Sequence, residues 1–336
     1  MNRFREIPAS PTGLGPADGA SPHARTGLVP AAVDVHQHLW PAPLIAALRR
    51  RTERPRLRDW TLQLEGEPDY IVDPLHHDVT ARAAQAAGDG LDLALVSLSS
   101  PIGIELLPTA EALELLDAYH EGALALPRPF RAWAAACLTE IDSAALGRQL
   151  ERGFVGLEVP AGALVEDRGY ARLAPLLGVL EDTGRPLFIH PGPVRAPAGA
   201  PLWWPAIVSY VQQMHAAWFA FRAYGRRRHP RLRVCFAMLA GLAPLHGERT
   251  ASRAGMRTVV DDDVFLELSS YGPRAIDATV RVLGIDVLVN GSDRPYAGPV
   301  PPDLGTAAAV ALRRGNPSRL LDLEEVSLGL AFAAGA

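Results

Sequence analysis

The sequence predicts an α/β protein with the architecture of a (β/α)8 barrel, and three observations carry this prediction. Eight short runs of aliphatic or β-branched residues recur along the chain, and longer stretches with helical spacing lie between them. The runs are almost continuously apolar, as strands that are buried on both faces of a parallel sheet require. The chain has 336 residues, which is enough for one barrel of about 250 residues with additions.

The predicted strands are spread along most of the chain. They cover residues 33–38, 93–98, 130–138, 155–159, 186–190, 232–239, 265–269 and 287–290. Helical patterns occur at residues 110–125, 144–152, 170–183, 207–224 and 274–283. The longest gap follows the first strand, where the segment W-T-L-Q-L-E-G-E-P-D-Y-I-V-D alternates like a hairpin around Gly66. We therefore expect a small insertion after strand one, over the top of the barrel.

The N-terminal segment has a different composition. Residues 1–29 are rich in proline, glycine and small polar residues, which cannot bury enough apolar surface to fold. We expect a flexible, disordered tail there and a single barrel domain over residues 30–336. The run G-L-G-P-A-D-G in the tail contains a proline and follows no predicted strand, so we do not interpret it as a nucleotide-binding loop.

The composition excludes several functions. The chain contains no lysine, so mechanisms that need a nucleophilic or phosphate-binding lysine are ruled out. A net charge of −4 favours neither nucleic acid nor an anionic membrane as a partner. Cys137 and Cys235 lie far apart in apolar runs, which is typical of buried thiols in a reducing compartment. With no membrane-length apolar stretch and no secretory leader, we expect a cytoplasmic protein.

Histidine and aspartate residues follow three of the predicted strands. His36 and His38 end strand one, and side chains two residues apart on a strand point to the same face. His190 ends strand five, and Asp293 follows strand eight. Because the carboxyl ends of barrel strands meet at one face, we expect these four side chains to bind one divalent metal ion. Three imidazoles and a carboxylate suit zinc, with manganese, iron or nickel as alternatives.

Five segments of the chain match a known family. They are V-D-V-H-Q-H, G-F-V-G-L-E, P-L-F-I-H-P-G, H-P-R-L-R-V-C-F-A-M-L-A-G and N-G-S-D-R-P-Y, spread between residues 33 and 296. With these segments the chain resembles the amidohydrolase superfamily, in the branch typified by aminocarboxymuconate-semialdehyde decarboxylase. The resemblance implies the same four metal ligands. It also implies metal-dependent decarboxylation, hydration or hydrolysis of a small, often aromatic or unsaturated acid.

One of these segments departs from the family pattern. The branch usually has a histidine at the end of strand six, in a stretch like F-A-H-G-G-G, where it acts as an acid, a base or a polarising group. Here Met238 occupies that place, and a thioether has no titratable proton and is a poor zinc ligand. We expect Asp293 to transfer protons as well as to bind metal. His246 in the following loop and Glu158 in strand four are the candidates for the missing role.

Two further residues are candidates for contacts with the substrate. Arg294 could bind a substrate carboxylate through both ends of its guanidinium, or it could form a structural pair with a neighbouring acid. Trp204, beside Trp203, could form a wall for an aromatic substrate or a contact in a homodimer.

Three functional interpretations follow from these residues. The first is a metal-dependent decarboxylase, that is a carbon–carbon lyase, or a hydrolase that acts on a small molecule. The second is a catalytically silent barrel that binds or assembles with a partner, and the third is a metal-free hydrolase resembling a lactonase. The presence of all four predicted ligands favours the enzyme. Decarboxylation needs fewer acid–base groups than hydrolysis, so the loss of the strand-six histidine favours a lyase slightly.

Overall fold

The computed structural model describes residues 31–255, 259–299 and 303–323, and its fold is α/β. In chain order the strands are β1 (Val33–Gln37), β2 (Arg56–Arg58), β3 (Thr61–Gln63), β4 (Tyr70–Ile71), β5 (Leu93–Val96), β6 (Phe130–Ala132), β7 (Leu157–Pro160), β8 (Leu187–His190), β9 (Val234–Phe236), β10 (Val264–Glu267) and β11 (Leu288–Val289). The expected tail at residues 1–29 lies outside the described residues, as does the C-terminal end of the expected domain after residue 323.

The helices lie between and after these strands. They are α1 (Ala42–Arg50), α2 (Val79–Gly88), α3 (Thr109–Leu124), α4 (Ser143–Arg152), α5 (Asp167–Thr183), α6 (Tyr210–Ala220), α7 (Arg226–Arg228), α8 (Gly247–Ala254), α9 (Pro273–Leu283), α10 (Gly305–Val310) and α11 (Asn316–Leu321). Each of the five helical patterns in the sequence overlaps an observed helix. Among the described residues, no helix combines the length and the apolar character needed to cross a membrane.

The eight predicted strands pair in parallel and form two sheets. One sheet has the order β1-β5-β6, and the other has the order β11-β10-β9-β8-β7. Single parallel bridges join Ala134 to Leu157 and Gln37 to Arg294, and the Val35 amide donates to the Asn290 carbonyl over 2.9 Å. The outer strands of each sheet therefore have a neighbour in the other sheet. As a result, the carboxyl ends of β1, β8 and β11 come close together.

Large apolar side chains fill the space between the strands. Trp133, Phe188 and Phe236 are completely buried, and burial of an aromatic side chain of this kind contributes about 1.5–3 kcal/mol. The polar atom of Trp133 is satisfied, because its indole N–H donates to the Val35 carbonyl over 2.9 Å. Tyr119 in α3 donates its hydroxyl to the Trp133 carbonyl over 2.8 Å. These bonds connect the core to both β1 and the outer helices.

Local sequence signals define the ends of the helices. The Asp142 side chain accepts a hydrogen bond from the Ala145 amide and begins α4, as an N-cap aspartate should. Gly153 ends α4 with a φ of 114°, in the region that favours glycine.

The insertion after β1 is a three-stranded antiparallel sheet of β2, β3 and β4. The expected hairpin around Gly66 corresponds to β3 and β4, with Thr61 opposite Ile71, and β2 is an additional strand. The Gly66 carbonyl accepts from the Ala196 amide over 2.9 Å. A Cβ atom on Gly66 would lie 2.7 Å from the Val194 carbonyl oxygen, so only glycine allows this approach. The insertion is thus attached to the segment that follows β8.

An unusual left-handed turn follows β9. Residues 238–242 have φ values of 53°, 47°, 53°, 60° and 60°, and only Gly241 among them is a glycine. Each non-glycine residue in this conformation costs about 1–2 kcal/mol. The turn explains why the strand predicted over residues 232–239 ends at Phe236. Burial of Leu239 and Ala240, both fully inaccessible, offsets part of this cost.

Substitution of Gly241 tests the turn. In Gly241→Ala the new Cβ would lie 2.7 Å from the Val211 carbonyl oxygen, at a φ that alanine disfavours. We expect the free energy of unfolding to fall by about 1–3 kcal/mol, measured by urea denaturation. The control is Gly147→Ala in α4, where no atom lies within 4 Å of the new Cβ and stability should rise by about 0.5–1 kcal/mol. Equal effects of the two substitutions would contradict the described turn.

Candidate metal centre

Four side chains meet at the carboxyl ends of β1, β8 and β11. They are His36, His38, His190 and Asp293, and one nitrogen or oxygen atom from each lies within 4.8 Å of the others. The Nε2 atoms of His36 and His38 are 3.1 Å apart. Asp293 Oδ1 lies 3.4 Å from His36 Nε2 and 3.1 Å from His38 Nε2. The three imidazoles are buried, and the Asp293 side chain is 16% exposed.

Backbone hydrogen bonds bring Asp293 to β1. The amides of Ser292 and Asp293 donate to the His36 carbonyl over 3.3 and 2.9 Å, and Asp293 has a φ of 56° that turns the chain there. Aspartate tolerates this left-handed conformation better than most residues. The buried Asp34 carboxylate accepts from the amides of His36 and Ser292 over 3.0 and 3.1 Å. Asp34 therefore connects the strand that carries two of the histidines to the loop that carries the aspartate.

Each histidine has a hydrogen-bond acceptor at Nδ1. His36 Nδ1 lies 3.0 Å from Glu267 Oε2, His38 Nδ1 lies 3.2 Å from the Ser97 carbonyl oxygen, and His190 Nδ1 lies 2.8 Å from the Pro191 carbonyl oxygen. From these acceptors we assign the ring proton to Nδ1 in all three residues. The lone pair on each Nε2 is then free for a metal ion.

Burial and neighbouring charges determine the protonation of the three rings. Burial lowers the pKa of His38, and burial together with the other two histidines lowers the pKa of His190 well below its ordinary value. Burial also opposes the charge on His36, but Glu267 and Asp293 outweigh it and raise the pKa of His36. His38 and His190 are therefore neutral at neutral pH, as metal ligands must be. Three nitrogen donors with one carboxylate fit a single divalent ion.

Glu267 also belongs to this centre, although the sequence did not predict it. The Glu267 carboxylate is buried at the end of β10, and it contacts His36 Nδ1. It also accepts hydrogen bonds from the Met238 amide over 3.2 Å, from the Ser269 hydroxyl over 2.8 Å and from the Ser269 amide. The signal was present in F-L-E-L-S-S, where one acidic residue interrupts an apolar strand. A Cβ atom on Gly291 would lie 2.2 Å from Glu267 Cγ, so this glycine leaves the space that the carboxylate occupies.

A second buried carboxylate, Glu158, lies on the other side of His190. Glu158 Oε1 is 3.7 Å from His190 Nδ1 and accepts a hydrogen bond from the Ser100 hydroxyl over 3.2 Å. The same hydroxyl contacts Glu105, which is also buried. Burial raises the pKa of Glu105 to about 7, and burial together with the neighbouring Glu105 raises the pKa of Glu158 well above its ordinary value. Both carboxyl groups therefore keep their protons to a higher pH than exposed glutamates do.

The side chains of His246, Arg294 and Trp204 have contacts with residues outside the cluster. His246 is exposed, and its ring lies 5.0 Å from that of His215. Among the contacts of the described residues, none joins His246 to the four donors. Arg294 Nη2 donates to Asp89 Oδ2 over 2.7 Å, which is the structural pair considered as an alternative. Trp204 stacks on Trp203 with ring centroids 5.9 Å apart, and Trp203 is 55% exposed.

Two tyrosines that the sequence analysis missed also lie near the cluster. The Tyr296 ring is 5.3 Å from the His38 ring and 6.1 Å from the ring of Tyr70 in β4 of the insertion. Tyr210 donates its hydroxyl to Glu67 over 2.8 Å. Burial raises the pKa of Tyr210 most, and Glu67, Tyr296 and Asp293 raise it further, in that order. Tyr70 of the insertion therefore lies next to Tyr296, whose ring is close to that of His38.

Comparison with known proteins gives a clear result for the fold. No family model and no curated protein matches the chain. Among solved structures, IDCase of Metarhizium anisopliae in its apo form is 19% identical with a TM-score of 0.71, over 88% of this chain and 98% of that chain. The 5-carboxyvanillate decarboxylase LigW2 of Novosphingobium aromaticivorans, solved with bound manganese, is 15% identical with a TM-score of 0.67, over 88% and 98% of the two chains.

A third structure is also similar. The 2,6-dihydroxybenzoate decarboxylase of Rhizobium is 17% identical with a TM-score of 0.65, over 87% of this chain and 99% of that chain. This chain has the fold of these proteins. The resemblance seen in the sequence is thus confirmed at the level of the fold, over almost the full length of the similar structures.

Substitution of Gly291 tests the support of the cluster. In Gly291→Ala the added methyl group would displace the Glu267 carboxylate from His36, so we expect divalent metal affinity to fall by about 10- to 100-fold in calorimetric titration. The control is Gly298→Ala, where the new Cβ meets no atom within 4 Å and metal affinity should not change. Unchanged affinity in Gly291→Ala would show that Glu267 does not hold His36 for the metal.

The raised pKa of Glu105 can be tested through the pH dependence of stability. The folded protein keeps a proton on Glu105 up to about pH 7, whereas the ordinary pKa is 4.5, so Glu105 lowers stability as pH rises between these values. Relative to wild type, Glu105→Gln should gain about 1–3 kcal/mol between about pH 5 and about pH 8. Thermal unfolding at both pH values measures this gain. Exposed Glu140→Gln is the control, and a pH dependence equal to that of wild type would contradict the assignment.

Proposed function

We propose that this chain is a metal-dependent carbon–carbon lyase that removes carbon dioxide from a small aromatic or unsaturated carboxylic acid. The observation that carries the proposal is the convergence of His36, His38, His190 and Asp293, with one donor atom of each residue within 4.8 Å of the others. The fold similarity to a 5-carboxyvanillate decarboxylase with bound manganese and to a 2,6-dihydroxybenzoate decarboxylase supports the same reaction class.

The proposed architecture is a closed (β/α)8 barrel in a single domain over residues 30–336, with the insertion after β1 above its mouth. The two parallel bridges between the sheets support closure, because they join the outer strands of one sheet to those of the other. The cluster would then lie at the carboxyl end of the barrel, where barrel enzymes place their active sites.

The four clustered residues would hold one divalent ion, with manganese supported by the similar structure and zinc by the donor set. When bound, the ion would supply a positive centre that polarises the oxygens of the substrate. Asp293 is the most accessible member of the cluster, so its carboxylate would face the substrate and transfer the proton that replaces carbon dioxide. Glu158, whose pKa is raised by burial, lies beside His190 and would be an alternative donor of this proton.

The contacts of Arg294, Trp204 and His246 indicate which of them could take part in the reaction. Arg294 is held by Asp89, so we assign the substrate carboxylate to the metal centre and not to this guanidinium. Trp204 and the Tyr296 ring are the aromatic groups that could form a wall for a flat substrate, and a homodimer contact at Trp203 and Trp204 is the alternative. We assign no part of the reaction to His246, because it is exposed beside His215.

The setting of the enzyme is also a proposal. Cys137 and Cys235 are free and buried, which is compatible with a reducing cytoplasm. The net charge of −4 and the buried cluster favour a small molecule as partner over nucleic acid or a membrane surface.

The reaction class is tested with two panels of compounds. Metal-loaded enzyme should release carbon dioxide from at least one member of a panel of aromatic and unsaturated carboxylic acids, and it should not turn over a panel of amides and lactones. Asp293→Asn should lose about 100-fold or more of the activity, a larger effect than its loss of bound metal.

The control is the double variant His36→Ala/His38→Ala, which should contain no metal and show no activity. Turnover of only the amides or lactones would replace the lyase by a hydrolase. Metal binding without turnover of either panel would favour a silent binding protein, and activity without metal would favour a metal-free hydrolase.

A further inference from the structure

A cavity lies in the outer layer of helices, and none of the four clustered donors lines it. It has a volume of about 340 Å³, which falls in the range of about 300–1,000 Å³ typical of small-molecule sites. Its walls come from α6 with the helical turn Phe221–Gly225 that extends it, from α8 with the segment before it, and from the start of β10. Pockets between helices of this size are common binding sites.

Most of the cavity wall is apolar. The apolar lining residues include Trp218, Phe219, Phe221, Ala243, Pro244 and Val264. Trp218 and Phe221 belong to the buried core, so this aromatic wall is rigid. An apolar molecule could therefore bury its surface here without reorganising the protein.

Two arginines, Arg222 and Arg226, line the same cavity, and they differ in their partners. Arg226 forms a bidentate ion pair with Asp261, with Nε and Nη2 at 2.7 and 3.0 Å from the carboxylate oxygens. Its Nη1 donates to backbone carbonyls, including that of Leu232 over 2.9 Å. The charge and the hydrogen-bond donors of Arg226 are thus used within the protein.

Arg222 has no such carboxylate partner among the residues that the structure describes. Its Nη1 donates to the Val259 carbonyl over 3.2 Å, and its guanidinium carbon lies 5.6 Å from the centre of the Trp218 ring. Nε and Nη2 have no acceptor within the described part of the chain. Burial lowers the pKa of this half-buried group, yet an arginine remains charged. The cavity therefore carries an excess positive charge beside an aromatic wall.

From this arrangement we infer a second binding site, for a small monocarboxylate with a flat apolar body. The carboxylate would accept hydrogen bonds from Nε and Nη2 of Arg222, the two donors that the protein leaves free. The apolar body would lie against Trp218 and the neighbouring apolar wall. We expect the ligand to carry one negative charge, because only one guanidinium of the cavity lacks an ion-pair partner among the described residues. A second negative charge on the ligand would be repelled by Asp261.

Calorimetric titration with 2-naphthoate tests this site in the double variant His36→Ala/His38→Ala, which removes the metal cluster. We expect one site per chain in that background. Adding Arg222→Gln should weaken binding by about tenfold or more, because a charge-assisted carboxylate contact is lost. Arg222→Lys, which keeps the charge, should retain more of the affinity than Arg222→Gln.

Two controls separate this site from other binding. Neutral 2-naphthamide should bind more weakly than 2-naphthoate and should be insensitive to Arg222→Gln. Arg253→Gln, which removes an exposed arginine of α8 that does not line the cavity, should leave the affinity unchanged. The proposal is overturned if 2-naphthoate shows no saturable binding or binds Arg222→Gln as tightly as the parent protein. Binding that occurs only with the metal cluster intact would also overturn it, while leaving the proposed lyase activity in place.

Discussion

The contact between Glu267 and His36 is the interaction on which the rest of the metal centre depends. Glu267 fixes the proton of His36 on Nδ1 and so directs Nε2 toward the other donors. A carboxylate without exposure is stable only when its oxygens are well hydrogen-bonded, and Glu267 has acceptor contacts with Met238 and Ser269 as well. One buried charge therefore couples β1, the turn after β9 and the end of β10.

Two backbone features accommodate this carboxylate. Gly291 has no side chain where Glu267 lies, since a Cβ there would overlap the carboxylate group. The left-handed turn at residues 238–242 presents the Met238 amide to Glu267, although four of its five residues are not glycine. Strain of this kind persists only where the surrounding structure compensates for it, and it is concentrated at functional sites. The metal centre is thus supported by backbone geometry as much as by its donors.

The sequence predicted the α/β class, all eight parallel strands and the four clustered donors, because these follow from local hydrophobic patterns and from the ends of strands. It did not reveal the partners that come from distant positions. Asp89, which pairs with Arg294, lies 205 residues away, and Glu267 lies 231 residues from His36. The left-handed turn was also missed, since four of the five residues in Met-Leu-Ala-Gly-Leu disfavour this conformation and tertiary packing imposes it.

The central claim is that three imidazoles and one carboxylate form a single metal site, and X-ray absorption at the metal edge tests it most directly. In protein loaded with one equivalent of zinc, we expect three imidazole nitrogens and carboxylate oxygen at about 2.0–2.2 Å from the ion. Absence of bound zinc from His36→Ala/His38→Ala treated in the same way would complete the assignment. A wild-type spectrum with only oxygen neighbours, or with fewer than three imidazoles, would contradict it.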